Sequence, residues 1–483
     1  MKKKELLYYL IKSLNKTEKR YFKQFCLSSG EQKKYQEVFD AFAKQKELDE
    51  SKLKTKWKGE KFLRQFHVIK NYLHHLILKS LRNYYAEQSK YAQALDGLRN
   101  IEILFRKELF RHCQEEIQRV KKIALEYEYQ AILLELLKWQ RRLLLHQSGR
   151  MTNELQALMQ EEQMSLQTLE RSNAYWQLTF DVFQYRKEQK DDFWQQPCMQ
   201  YNGKEGLQNQ IQRTHILYTY YTINDEAEKG QALLTALIAE LEQHPHRIRE
   251  TPAPYATALN NLIGAHFFSN QKNDVWPLLS KVKTIPSTYK LKQRSPFTIR
   301  LQLRTYNLEL ELLRDEHRWE DGIRLIGEVE PFLKHHTALI PKAYFILLAY
   351  QFAYIYFKAG QLGDALRWCN ALLNKHDLSE RLDIQVYARF LNLMVHFEMD
   401  NIFVLKYAVE NSRRFFRKEA VKAIIPDFAP LVFRFFSKLS NTPKRGYALL
   451  FQQLYTDLFE SNPPVMTKQQ LDYLDLKAWI KSR

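Results

Sequence analysis

With 483 residues, 45% of them hydrophobic and 27% charged, the chain can bury large cores, which excludes a wholly disordered polypeptide. Only 13 Gly and 14 Pro occur, and no Pro precedes Pro197, so the frequent turns of a sheet protein are missing. The formal net charge is +19, and residues 1–100 hold 23 Lys and Arg against 11 Asp and Glu, so a polyanion would meet this end first.

Scarce turn residues and pervasive helical periodicity predict an all-α protein with more than two-thirds of its residues in helix, against a globular average of about a third. The apolar stretch from Leu6 to Ile11 is shorter than the roughly 7–15 residues of a signal peptide's apolar region, and no small-residue cleavage site follows. It reads as a first helix, with Leu6, Leu7, Leu10 and Leu14 on one face. Asn15 and Thr17 are cap candidates for a second helix that ends before Ser28-Ser29-Gly30. Tyr35, Val38, Phe39 and Phe42 mark a third. A fourth starts near Asp49, although the period-two order from Lys52 to Lys58 leaves a short strand open there. A longer helix from Lys61 to Tyr85 buries Phe62, Phe66, Ile69, Leu73 and Leu76.

Residues 1–89 are therefore expected to form a basic N-terminal helical module, and residues 90–483 an α-solenoid. From Lys90 to Gln196 the helices are long and amphipathic, with breaks near Gly97, Ser148-Gly149 and Arg171-Ser172-Asn173. Loops are expected at Pro197 to Gly206, His244 to Pro254 and Thr284 to Pro296. The most apolar later stretch, Ala343 to Phe357, falls short of the about 20 residues that cross a membrane, and predicts a buried helix.

A weak internal repeat runs through the later chain. Its sharpest copy, from Ala349 to Leu372, places Ala353 where one helix approaches its neighbour, Tyr356 between helices, Gly360 at a tight turn and Ala365 at a helix crossing. Further copies follow turn markers at Gln271, His317 and Asp400. These residues resemble tetratricopeptide-repeat (TPR) units across roughly residues 210–440, with a spacing longer than the 34-residue consensus. The resemblance implies antiparallel helix hairpins stacked around a concave groove that receives a partner protein or peptide. On it, the groove candidates are Gln351, Tyr354 and Lys358 from one copy and Arg304, Asn307, Glu311 and Arg314 from the copy before. The opening Leu14-Asn-Lys-Thr-Glu-Lys-Arg-Tyr-Phe-Lys also looks like that of a group of bacterial helical-repeat proteins, a likeness that implies no activity.

A second candidate surface lies on the predicted second helix. Lys16, Lys19, Arg20 and Lys23 follow an i, i+3, i+4, i+7 spacing, with Tyr21, Phe22 and Phe25 on the opposite side. A line of cations suits a phosphate backbone, and Lys52, Lys54, Lys56 and Lys58 would extend it. The plain alternative is a solvated face of an amphipathic helix. The histidine pairs His74-His75, His335-His336 and His244-Pro-His246 lack metal-ligand spacing, and adjacent ring positions on a helix diverge by about 100°. No phosphate loop, nucleophile elbow or dinucleotide fingerprint occurs, and Ser13-Leu-Asn-Lys16 lacks the partner motifs of a Ser-x-x-Lys enzyme. The four Cys at 26, 113, 198 and 369 stand singly, as in a reducing cytoplasm. The expectation is thus a non-enzymatic scaffold without cofactor or metal. The alternative is a nucleic-acid or ribosome-associated factor.

Overall fold

The computed structural model describes residues 6–28, 33–45, 48–148, 153–185, 190–268, 274–292, 295–374, 380–461 and 473–483. Helix accounts for 82% of the structure and no strand occurs among the described residues, as the scarcity of turn formers requires. The chain divides into two compact units, residues 1–251 and 252–483, within the stretch expected as a loop at His244 to Pro254.

The first unit opens with α1 (Leu6–Ser13), α2 (Lys16–Ser28), α3 (Lys33–Lys44), α4 (Glu50–Lys56) and α5 (Phe66–Tyr85), the last preceded by a 3₁₀ turn at Lys61–Gln65. Asn15 starts α2 through a reciprocal cap. Its Oδ1 accepts from Glu18 N at 2.9 Å, while Glu18 Oε2 accepts from Asn15 N at 2.8 Å. Asp49 caps α4 by accepting from Lys52 N at 3.0 Å. Leu53 and Trp57, one helical turn apart, are both buried while the lysines between them are exposed, which decides for helix over the period-two strand. Phe22, Phe39, Phe42, Leu73 and Ile77 close a core of their own.

The unit continues with α6 (Lys90–Arg106), α7 (Phe110–Glu126), α8 (Gln130–Ser148), α9 (Asn153–Asp181), α10 (Lys190–Trp194), α11 (Leu207–Ile223), α12 (Ala227–Glu242) and α13 (Pro245–Glu250). Consecutive helices pack on one another, around one cluster that includes Ile101, Cys113, Ile117 and Leu136, and another that includes Tyr175, Phe193, Cys198 and Tyr220. Three expected breaks resolve differently. Gly97 lies inside α6, where a Cβ would overlap Val120 Cγ2, so this glycine serves close approach of α6 and α7. Arg171-Ser172-Asn173 is continuous helix within α9; Arg171 and Ser172 are half-buried, and Ser172 Oγ donates to Gln212 Oε1 of α11 at 3.2 Å, so these polar side chains are used between helices and leave the backbone ladder unbroken. The stretch from His244 holds α13, with Pro245 in the first turn, where its missing N–H costs nothing.

The second unit comprises α14 (Ala253–Phe268), α15 (Val275–Thr288), α16 (Pro296–Asp315), α17 (Trp319–His335), α18 (Lys342–Lys358), α19 (Leu362–Leu373), α20 (Leu382–Glu398), α21 (Ile402–Phe416), α22 (Glu419–Lys422), α23 (Ala429–Leu439), α24 (Tyr447–Phe459) and α25 (Leu476–Lys481). Contrary to a loop beginning at Thr284, α15 reaches Thr288 with Pro286 inside it. The stretch at Ala343 to Phe357 is interior helix: α18 buries an unbroken run from Leu348 to Phe357. Ala353 and Ala365 are both buried, the small side chains permitting helix contact. Beyond neighbouring pairs, α16 packs on α18 and α18 on α20. No helix among the described residues is long and apolar enough to cross a membrane.

One turn recurs in both units. The three-residue links after α6, α7, α11, α16, α18 and α20 each hold a left-handed middle residue: Glu108, Glu128, Asp225, His317, Gly360 and Asp400. The next N–H reaches back five residues, as in Leu109 N to Leu104 O at 3.0 Å and Gln361 N to Tyr356 O at 2.9 Å. This is the Schellman closure, which satisfies the last carbonyls of the first helix and turns the chain back at once. Three of the four turn markers read from sequence coincide with these residues; Gln271 lies outside the described residues.

Replacing Gly97 with Ala should force α6 from α7, because Val120 is held to few rotamers in a helix. The expected cost is about 1–3 kcal/mol, read as a lower urea midpoint at unchanged slope.

Candidate functional site

On α16, Asn307, Glu311 and Arg314 are spaced four and three apart; on α18, Gln351, Tyr354 and Lys358 are spaced three and four apart. Each set therefore forms one stripe, and packing of α16 on α18 brings the stripes together. Glu311 Oε1 accepts from Asn307 Nδ2 at 2.9 Å and from Gln351 Nε2 at 3.3 Å. Arg314 Nη1 donates to Gln351 Oε1 at 3.2 Å. The Arg314 guanidinium and the Lys358 ammonium stand 5.1 Å and 5.8 Å from the Tyr354 ring centre, within cation–π range. Six of the seven groove candidates thus join one network. Arg304, one turn earlier, stays exposed and outside this chain of bonds.

The burial of this network differs from a solvent-lined groove. Gln351 is 1% and Tyr354 3% exposed. Burial pushes the Glu311 carboxyl above its usual range, against the opposing pull of Arg314 and the Asn307 hydrogen bond.

The chain itself supplies a cover beside these helices. Tyr350 OH donates to Tyr473 O at 2.5 Å, and the Tyr473 ring stacks on Tyr387 of α20 at 4.6 Å. Lys358 Nζ pairs with Asp475 Oδ2 at 2.8 Å. At the other end of α25, Trp479 Nε1 donates to Glu398 Oε1 at 2.7 Å, and Arg483 Nε reaches the same oxygen at 3.0 Å. Trp479 sits among Phe397, Phe436 and Phe451. Sequence reasoning missed this segment, although Leu476, Trp479 and Ile480, all buried, carry the three-and-four spacing of an inward helix face.

The N-terminal stripe is less open than its spacing implies. Lys16 and Arg20 are exposed, but Lys23 pairs with Asp40 at 2.7 Å. Burial, with Lys12 nearby, pulls the Lys19 ammonium below its ordinary value. Lys54, Lys56 and Lys58 are exposed around α4. The rings of each histidine pair stand nearly perpendicular, at 89° for His74 and His75, and among the described residues no three metal-ligating side chains gather. Ser13 Oγ donates to Leu10 O at 2.7 Å in an ordinary helix back-bond. All four thiols are buried. No family model, curated protein or solved structure matches the chain.

Because the folded-state value of Glu311 lies above the unfolded one, the bound proton favours the fold. The stability it contributes is complete below the ordinary carboxyl value of about 4.3 and is lost as pH rises through the higher folded value. Glu311→Gln holds the neutral form. It should raise the urea midpoint over wild type at about pH 7 and bring no such gain at about pH 4; equal gains at both would show that the carboxyl is not the cause.

Proposed function

We propose that the chain is a protein-interaction scaffold, a TPR-like α-solenoid in which the face of α16, α18 and α20 receives a peptide segment. One observation carries this reading: α18 and α20 of that face already seat a peptide, residues 473–483, through a main-chain hydrogen bond, an ion pair and an aromatic stack. These are the contacts by which helical repeats take extended or helical segments. A partner segment would use Tyr350, Lys358 and Tyr387 in the same way, in exchange with the chain's own terminus. The buried network beneath keeps α16 and α18 in register so that these groups are presented together.

The test is an affinity pull-down with the full chain, with and without nuclease, compared with the double variant Tyr473→Ala, Asp475→Ala, which breaks the stack and the ion pair from the segment's side and leaves Tyr350, Lys358 and Tyr387 intact. Loss of the stack and the ion pair should loosen the terminus by about 1–2 kcal/mol, seen as faster amide exchange over residues 473–483. The loosened protein should bind a synthetic peptide of residues 473–483 more tightly than wild type and retain more of a stoichiometric protein partner. Equal peptide binding by both proteins would refute the seat.

A second reading, polyanion contact at α2, rests on the exposure of Lys16 and Arg20. It requires binding to fluorescent RNA or DNA that falls with salt by a log–log slope near −0.7 to −0.9 per phosphate. Replacing Lys16, Lys19, Arg20 and Lys23 with Gln should flatten that slope. With Lys23 engaged by Asp40, the expected outcome is coincident curves for wild type and variant at about 0.15 M salt.

A further inference from the structure

Residues 410–440 hold seven Lys and Arg against three Asp and Glu, far from the basic N-terminus. The fold gathers four of these cations. Arg413 and Arg417 lie one turn apart at the end of α21, and Arg434 and Lys438 lie one turn apart on α23, which packs on α21. Between the two rows is a cleft of about 810 Å³, with Phe416, Phe433 and Leu450 among its apolar walls and no carboxylate among the described residues that line it. Arg413 is already engaged: it donates to Glu410 Oε1 at 2.8 Å and to Ser437 Oγ at 2.9 Å, tying α21 to α23. Arg417, Arg434 and Lys438 are exposed and pair with no carboxylate among the described residues.

Helix dipoles account for part of this. Cations in a last turn are favoured there, which covers Arg413 and Lys438. Arg434 lies in the middle of α23, where the dipole gives it no advantage, yet it joins the same cleft. The like charges repel one another unless an anion sits between them.

From this arrangement we propose that the α21–α23 cleft binds an acidic peptide segment of a partner protein. Its carboxylates would pair with Arg417, Arg434 and Lys438, and one aliphatic side chain would rest on the apolar wall. Guanidinium groups pair with carboxylates in two parallel hydrogen bonds. The geometry favours a peptide over a nucleic acid. The Phe416 and Phe433 rings are 5.1 Å apart at 72° and both lean on Phe390, so neither offers a free face for a base. This site is separate from the face of α16, α18 and α20 and does not depend on that reading.

The experiment titrates full-length protein into a fluorescein-labelled peptide of repeated Glu-Glu-Leu, about twelve residues long, and reads anisotropy. Parallel titrations use the same peptide with Gln for Glu and a single-stranded oligonucleotide of equal charge. Wild type should bind the acidic peptide in preference to both. The variant R417E/R434E/K438E should weaken binding by at least about tenfold, while K16E/R20E, altered on α2 of the first unit, should not weaken it. All three cleft substitutions are at exposed positions, and circular dichroism confirms the fold; if the triple variant melts early, R434Q alone should still lower affinity by about threefold. Equal binding by wild type and cleft variants, equal binding of the Gln peptide, or tighter binding of the oligonucleotide would each overturn the proposal. If the cleft variants keep the partner found by pull-down, the scaffold survives and this site falls.

Discussion

Six hairpin links close in the same way, by an N–H that reaches back five residues across a left-handed residue. The remaining packing follows from that closure. A link of three residues leaves the second helix little freedom except to run back along the first, so the apolar stripes of the two face each other. Glu128 shows how the same residue can do more. Its backbone makes the turn between α7 and α8, and its carboxylate accepts from Leu207 N and Gln208 N at 2.9 Å and pairs with Arg247 at 2.9 Å. An acid placed on the orphan N–H groups of α11 is favoured by the helix dipole. A turn between two helices thereby fixes where a third one starts. Glu250 acts alike at α6, accepting from Ser89 Oγ at 2.8 Å and from Tyr91 N at 3.3 Å.

In the second unit, polar groups occupy positions that an ordinary core would fill with leucine. Glu311, Arg314, Gln351 and Asn307 share their bonds, so each partner lowers the desolvation cost of the next. Such a network specifies register: a one-turn slip of α18 against α16 would strand a carboxylate and a guanidinium in the interior. The terminal segment uses the same logic at its margin, where Lys358 serves both Tyr354 and Asp475.

The helices and half the hairpins were legible because periodicity and caps are local properties. Asn15, Asp49, His317, Gly360 and Asp400 all sit where the sequence placed a cap or turn. What misled was single-residue chemistry. Gly97 reads as a breaker, yet it marks a close crossing visible only when Val120 is opposite. Glu108, Glu128 and Asp225 adopt the glycine conformation without being glycine, so those turns carried no signal. At the candidate site, helical spacing found the stripes on α16 and α18, since spacing alone decides which side chains share a face. It could not reveal that residues more than a hundred positions later would lie beside them. The α21–α23 cleft was hidden for the same reason, its two cation pairs being separated by α22.

Each of four core clusters contains one cysteine: Cys26 beside Phe22 and Phe39, Cys113 beside Ile117, Cys198 beside Tyr175, and Cys369 in the large cluster of the second unit. Burial raises the thiols of Cys113 and Cys198 and pushes that of Cys369 up to about 12, so these three present no thiolate at neutral pH, and Cys26 is fully buried as well. A thiolate-selective alkylating reagent therefore modifies a given sulfur only when its own layer opens. The polypeptide carries a built-in set of four clocks, one per layer, whose relative rates rank the local opening free energies along the chain without any added probe.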